Sequence, residues 1–205
     1  MGEPLIAHPP RPRSPDQADE AAVLRLSVHE PERFGEIFDA YFAEIHGYAA
    51  RRLGPDVASD VAAQAFLEAF RVRARYDAGR AGVRTWLYGI ATNVIGKHRR
   101  GEMRRLRAAA RLGPDEPPHA GGHADLVDAR VSAEGLRGPL AGALARLSDG
   151  DRDVLLLVAL ADLGHAEIAA ALGIPYGTVG SRLNRARRKV RAALGGSNPI
   201  MIVED

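Results

Sequence analysis

Ile174-Pro175-Tyr176-Gly177-Thr178-Val179-Gly180-Ser181-Arg182-Leu183-Asn184-Arg185-Ala186-Arg187 is the stretch on which the fold turns. Just before it, Ala166 to Leu172 reads as a short helix with Ile168, Ala169 and Leu172 on one side. Gly173 follows, where a left-handed residue closing a helix needs no Cβ. Ile174 can plug the gap between two helices, and Pro175 starts the turn out. A second helix beginning near Gly177 carries Val179, Leu183, Ala186 and Val190 at helical spacing, facing inward. Its opposite face offers Gly180, Ser181, Asn184, Arg185 and Arg188. This is the grammar of a helix-turn-helix, whose second helix enters the major groove by its N-terminal part. There arginine can bond guanine edges in bidentate fashion, and serine or asparagine can read other edges. Basic residues further along suit phosphates. Two short helices around a glycine also occur in proteins that never touch DNA, so at this point both readings stand.

Charge, read outward from that stretch, narrows the choice. Arg182 to Arg191 holds six basic residues (Arg182, Arg185, Arg187, Arg188, Lys189, Arg191) and no acid. Lys97 to Arg107 holds six more (Lys97, Arg99, Arg100, Arg104, Arg105, Arg107) against Glu102 alone. The whole chain of 205 residues carries a net charge of only +2, so these are two local stripes of the kind a polyanion attracts. Arginine-rich helix ends that are merely solvated are the plainer alternative.

Upstream, the pattern is helical throughout. Apolar residues make up 46% and aromatics 5%, with Ala, Leu and Arg prominent, which favours helices over sheets. Residues 1–16 read as a disordered, proline-rich leader, and a short helix is expected from about Gln17 to Ser27. Phe34, Ile37, Phe38, Tyr41, Phe42, Ile45 and Tyr48 then recur at three- and four-residue steps until Gly54-Pro55. Asp56 fits an N-cap for a helix over about Val57–Arg75, with Val57, Val61, Ala65, Leu67, Ala69 and Val72 as its stripe beside Phe66 and Phe70. A third helix runs from roughly Val83 to Ala110, apolar at Trp86, Leu87, Ile90 and Val94 and basic later. The expected organisation is an N-terminal extension over 1–30, a helical domain over 31–111 and an acidic Pro/Gly linker over 112–139. A second helical domain over 140–195 and a tail over 196–205 complete it. Ser148 and Asp151 resemble a capping box at the start of one of the later helices. The fold class is all-α, two small helical domains joined by a flexible linker, the C-terminal one a helix-turn-helix.

Several function classes fall away. There is no cysteine, which removes disulfide frameworks, thiolate nucleophiles and cysteine-bound zinc. The longest apolar run, Val154 to Ala161, is too short to span a bilayer, which needs about 20 residues. No apolar signal-peptide core precedes the first helix, so a cytoplasmic location is expected. Gly89 to Lys97 lacks P-loop spacing, and His165-Ala166-Glu167 lacks the cysteines of a zinc deaminase. His119 and His123 sit alone in the linker. No enzymatic activity, cofactor or metal is expected.

At these residues a resemblance becomes specific. The stretch from Ile174 to Arg187 resembles the "IPxGTVxSRLxRAR" signature of region 4 in extracytoplasmic-function sigma factors, with Gly180 where that family usually has Lys or Arg. Leu147-Ser148 and Arg152 to Leu157 are similar to the family's "LPxxxRxVLLL". Independently, Asp60-Val61-Ala62-Ala63-Gln64-Ala65-Phe66-Leu67 resembles "DVVQETFL" of region 2, with Gln64 in place of the usual Glu. Thr85 to Asn93 resembles "TWLYxIAxN".

The resemblance implies a protein that carries core RNA polymerase to promoter DNA. Region 2 would dock on the polymerase β′ clamp through Asp60, Ala63, Gln64 and Phe66. It would also hold the melted −10 element with Tyr76, Asn93, Lys97, Arg99, Arg100 and Arg104. Asn93 would line a base pocket with Tyr76 near it, an amide and an aromatic being suited to an unstacked base. Region 4 would sit on the β flap and read the −35 duplex through Thr178, Ser181, Arg182, Asn184, Arg185 and Arg188. The linker would thread toward the RNA exit path. Many members of the family are held by an anti-sigma factor, on which this sequence is silent, and membrane insertion is not expected. Two rival readings remain at this stage. A helix-turn-helix regulator would bind an operator without polymerase, and a helical adaptor would show no salt-sensitive DNA binding.

Overall fold

The computed structural model describes residues 15–111 and 134–194, so the leader, most of the linker and the tail lie outside the described residues. Within them the chain forms eight α-helices and no strand. These are α1 (Pro15–Leu26), α2 (Phe34–Leu53), α3 (Ala58–Val72), α4 (Val83–Arg111), α5 (Glu134–Ala145), α6 (Asp149–Ala161), α7 (His165–Leu172) and α8 (Tyr176–Ala193).

Helices α2, α3 and α4 build the first bundle because their apolar stripes meet. Ile37, Ile45 and Tyr48 of α2 pack with Val61, Ala62, Ala65 and Phe66 of α3 and with Leu87, Tyr88, Ala91 and Ile95 of α4, all buried. Gly54 ends α2 at a positive φ of 94°, a conformation costly for any residue with a Cβ. Asp56 does not cap α3. Val57 holds the N-cap position without a side-chain bond, and the turn is closed instead by the backbone, with Ala58 N–H donating to Pro55 O at 3.2 Å. The expected continuation of α3 to Arg75 tightens into a separate 3-10 turn over Arg73–Arg75.

The short helix expected within the N-terminal extension forms and packs on the first bundle. Helix α1 buries Leu24 and Ala21, and the Tyr41 hydroxyl donates to Glu20 Oε1 at 2.6 Å, so residues 15–26 belong to the first bundle. The linker also ends earlier than expected, since α5 begins at Glu134 and carries Pro139 within it. At the sixth position of α5, Pro139 has no N–H to give to the carbonyl four residues back and its ring crowds that carbonyl, which weakens the first turn of the helix.

In the second bundle the turn chemistry is as the sequence suggests. Ser148 caps α6, its Oγ accepting from Asp151 N–H at 3.2 Å. Gly173 closes α7 in the left-handed region at φ 64°, and Val179, Leu183 and Ala186 of α8 are buried. Arg152 is an unexpected structural element. Its guanidinium is nearly inaccessible and donates to the carbonyls of Leu144, Ala145 and Leu147 at 2.7, 2.9 and 2.8 Å. It thereby satisfies the carbonyls orphaned where α5 ends.

The two bundles also pack on one another, a contact that no pattern in the sequence announces. Helix α4 packs along α7, and one continuous core runs from Leu24 to Leu183. Gly89 makes this possible: a Cβ built there would lie 2.3 Å from Ala171 O. Arg52 of α2 pairs with Asp153 of α6, Arg84 donates to Ala161 O at 2.9 Å, and Thr85 donates to Glu167 at 3.4 Å. No helix among the described residues is long and apolar enough to cross a membrane.

Candidate nucleic-acid interface

The site residues fall on three surfaces. The first is the recognition helix α8. Asn184 and Arg188 are exposed there. Ser181 is exposed too, although its hydroxyl donates to Thr178 O at 3.0 Å, and Thr178 itself is half-buried. Arg182 and Arg185 are not free rods in solvent. The Arg182 guanidinium lies over Gly150, where an added Cβ would stand 2.7 Å from Nη1. Arg185 Nη2 donates to Asp151 Oδ1 at 3.0 Å. The sequence hinted at Asp151 only as a helix cap; its carboxylate instead leaves the cap to Ser148 and turns toward α8. Burial pushes the Asp151 carboxyl up, but hydrogen bonds with Arg185 and Ser148 and the charges of Arg185 and Lys189 outweigh it. The carboxyl is held below its usual range.

The second surface follows α4. Asn93 is exposed one helical turn beyond Gly89, the residue seated on α7. Tyr76 is half-buried, meeting Trp86 edge to face at 5.3 Å, and its hydroxyl donates to Ala81 O at 2.9 Å. Trp86 therefore belongs partly to the core and partly to the wall beside Tyr76. Lys97, Arg100 and Arg104 are exposed. Arg99 differs from them: it is half-buried near α6. Burial, then the charges of Arg152 and Arg52, lowers its affinity for its proton, while Asp149 and Asp153 oppose this. Four of the five expected cationic and amide contacts of α4 thus share open surface, and Arg99 faces the neighbouring bundle.

The third surface is the outer face of α3. Asp60, Ala63 and Gln64 are exposed, and Gln64 donates to Glu68 at 3.1 Å. Phe66 is a correction. It is 3% exposed and packs against Phe34, Phe38 and Phe42, with ring centroids 5.0 to 6.4 Å away, so it cannot touch another protein from this position. Leu67, assigned to the apolar stripe by its type, is 43% exposed on the outer face instead. A groove of about 370 Å³ joins this face to α4, lined by Asp60, Val61, Gln64, Glu68, Val94, Lys97 and His98. Lys97, expected with the DNA contacts, shares this groove with Asp60 and Gln64.

Positively charged helix surface on both bundles, with amide and hydroxyl groups beside it, can hold phosphates and read base edges. Comparisons with known proteins agree with that chemistry. Residues 37–105 match the family model "Sigma-70 region 2", and residues 137–190 match "Sigma-70, region 4". The chain is 30% identical over 178 residues to the "ECF RNA polymerase sigma factor SigC" of Mycobacterium tuberculosis, covering 83% of this chain and 90% of that protein. It is 32% identical over 178 residues to the "ECF RNA polymerase sigma factor SigW" of Bacillus subtilis, covering 84% and 94%. Among solved structures it is similar to CnrH in complex with the cytosolic domain of CnrY, at 24% identity and a TM-score of 0.58, over 87% of this chain and 99% of that one. It is also similar to the sigma factor RpoE in complex with the anti-sigma factor NepR from Bartonella quintana, at 20% identity and a TM-score of 0.57, over 82% and 99%.

Proposed function

The chain belongs to the extracytoplasmic-function sigma factors, and from that membership we infer that it binds core RNA polymerase and directs initiation at particular promoters. The observation that carries this reading is the pair of family matches in order along one chain, each on a bundle with an exposed basic helix. An operator-binding regulator accounts for the second match and leaves the first without a task.

Region 2 uses α3 and α4 in this proposal. Asp60, Ala63 and Gln64, with Leu67 in place of Phe66, make the contact with the β′ clamp. Asn93 takes an unstacked base of the −10 strand, with Tyr76 and Trp86 as the aromatic wall, while Arg100 and Arg104 hold phosphates. Lys97 stands between these two contacts, and Arg99 joins the DNA set once the bundles part. Region 4 sits on the β flap and reads the −35 duplex through Ser181, Asn184, Arg185 and Arg188, with Thr178 and Arg182 bracing the helix. Each bundle alone binds DNA weakly, and the useful affinity arises when polymerase holds both at once. An anti-sigma factor belongs to the proposal as a partner class, since RpoE, a protein of similar fold, is described in complex with one. The protein acts in the cytoplasm, beside polymerase, and no reaction of its own is assigned to it.

The test is transcription from a candidate promoter by core polymerase with and without this protein, alongside footprinting of the protein alone. Promoter-specific initiation only in its presence is expected. An operator footprint without polymerase would replace the proposal by a regulator, and neither signal would leave an adaptor.

A further inference from the structure

The arginines of α8 are not equivalent. Arg187, Arg188 and Arg191 are exposed, whereas Arg185 is tied to a carboxylate on another helix. Asp151 meets it side-on: Oδ1 accepts from Nη2 at 3.0 Å, and Oδ2 from Nε at 3.5 Å. The carboxylate side chain is 5% exposed, and that of Arg185 is 46% exposed. Asp151 stands in the first turn of α6, which Ser148 caps and Arg152 fastens to the end of α5. The acceptor is therefore rigid and the arginine half open.

That geometry has a chemical consequence. A guanidinium has five N–H donors, and a side-on carboxylate engages only the Nε/Nη2 edge. The terminal fork of Nη1 and Nη2 keeps unpaired donors, and a terminal fork is what the O6 and N7 acceptors of guanine take. Holding the fork beforehand removes rotamer freedom that binding would otherwise have to remove. The same carboxylate cancels the arginine's charge, which weakens its pull on any nearby phosphate. Resting on the region 4 reading above, we infer that Asp151 is a positioning residue that aims Arg185 at one guanine of the −35 duplex, sharpening base discrimination at the expense of non-specific attraction. Its depressed proton affinity keeps the carboxylate charged in neutral solution, as this role requires.

The experiment uses the full chain with core polymerase and a promoter set carrying all four bases at each −35 position. Wild-type protein should prefer guanine at one position, and Arg185→Ala should abolish that preference. Asp151→Asn should lower the same preference about tenfold and leave the other positions unchanged. Binding of the free chain to random duplex should become more salt-sensitive by roughly one phosphate contact. In the Arg185→Ala background, Asp151→Asn should have no further effect on base preference. This separates positioning from a loss of fold, since a structural defect would persist there. Equal weakening at every position in both backgrounds would overturn the inference, as would no change, or a stronger guanine preference once Asp151 is removed. If Arg185→Ala leaves every preference intact while transcription still depends on the protein, only the base assignment fails. If the wild-type chain supports no promoter-directed transcription, the sigma reading itself fails.

Discussion

Arg52 of α2 and Asp153 of α6 form an ion pair across the two bundles, with the arginine side chain 2% exposed and also donating to the Tyr48 hydroxyl at 2.8 Å. Removing the carboxylate leaves a buried charge without its partner. Asp153→Ala should therefore cost about 3–5 kcal/mol if the bundles stay together. Separation relieves that cost by letting Arg52 reach water. Small-angle scattering should show a larger radius of gyration for the variant, and an unchanged radius with unchanged melting would contradict the pairing's importance.

Phe66 and Leu67 are adjacent and equally apolar, yet one is core and the other surface. Phe66→Ala should destabilise the protein by about 3–5 kcal/mol in urea titration. Leu67→Glu should change stability by no more than about 0.5 kcal/mol and weaken binding to core polymerase. Polymerase affinity that survives Leu67→Glu would remove this face from the clamp contact.

Arg152 closes α5 through three carbonyls and adds an ion pair to Asp149 at 3.1 Å. Arg152→Met keeps the stem and deletes the donors. A loss of about 2–4 kcal/mol is expected, from charge-assisted bonds and stranded carbonyls. Hydrogen exchange should locate the loss in α5 and α6; protection lost evenly over both bundles would argue against so local a role.

Asn93→Ala should impair promoter melting more than polymerase binding, because the amide is exposed on α4 and makes no hydrogen bond that holds the fold among those described. Permanganate reactivity of the melted strand reports the first and a pull-down the second. Equal loss of both would contradict its role.

Tyr41, Tyr48 and Tyr88 share a response to alkali. Burial raises the pKa of each hydroxyl, and for Tyr41 and Tyr88 the carboxylates of Glu20 and Glu44 raise it further. The folded state thus keeps them neutral, while the unfolded chain ionises tyrosine near pH ~10. Their stabilisation is whole below pH ~10 and drains away as pH rises beyond it. Tyrosinate absorbance from Tyr48 should appear together with loss of helical circular dichroism, not ahead of it.

What the sequence disclosed was mostly local. Gly173 and the spacing of Val179, Leu183 and Ala186 need no distant partner to be read, and the turn and the inward face follow from them. Adjacent apolar residues are harder. At 100° per residue Phe66 and Leu67 straddle the edge of the α3 stripe, and hydrophobicity alone does not say which turns in. Asp151 with Arg185, Arg152 with the end of α5, and Arg99 beside α6 depend on tertiary approach, invisible to any periodicity. Gly89 alone gave no usable signal for the packed bundles: it lies inside a long helix, where glycine costs about 1 kcal/mol relative to alanine, but Gly96 and Gly101 of the same helix meet nothing outside it.

That glycine also sets a threshold. With Ala171 O seated where a methyl group would be, α7 rests on the same helix that exposes Asn93 a single turn later. A ligand that needs the two units apart meets only the parted fraction of molecules. If that fraction is one in a hundred, its apparent affinity falls about a hundredfold. A first ligand that binds only the parted form raises the readiness of the other unit, without the two ligands ever touching.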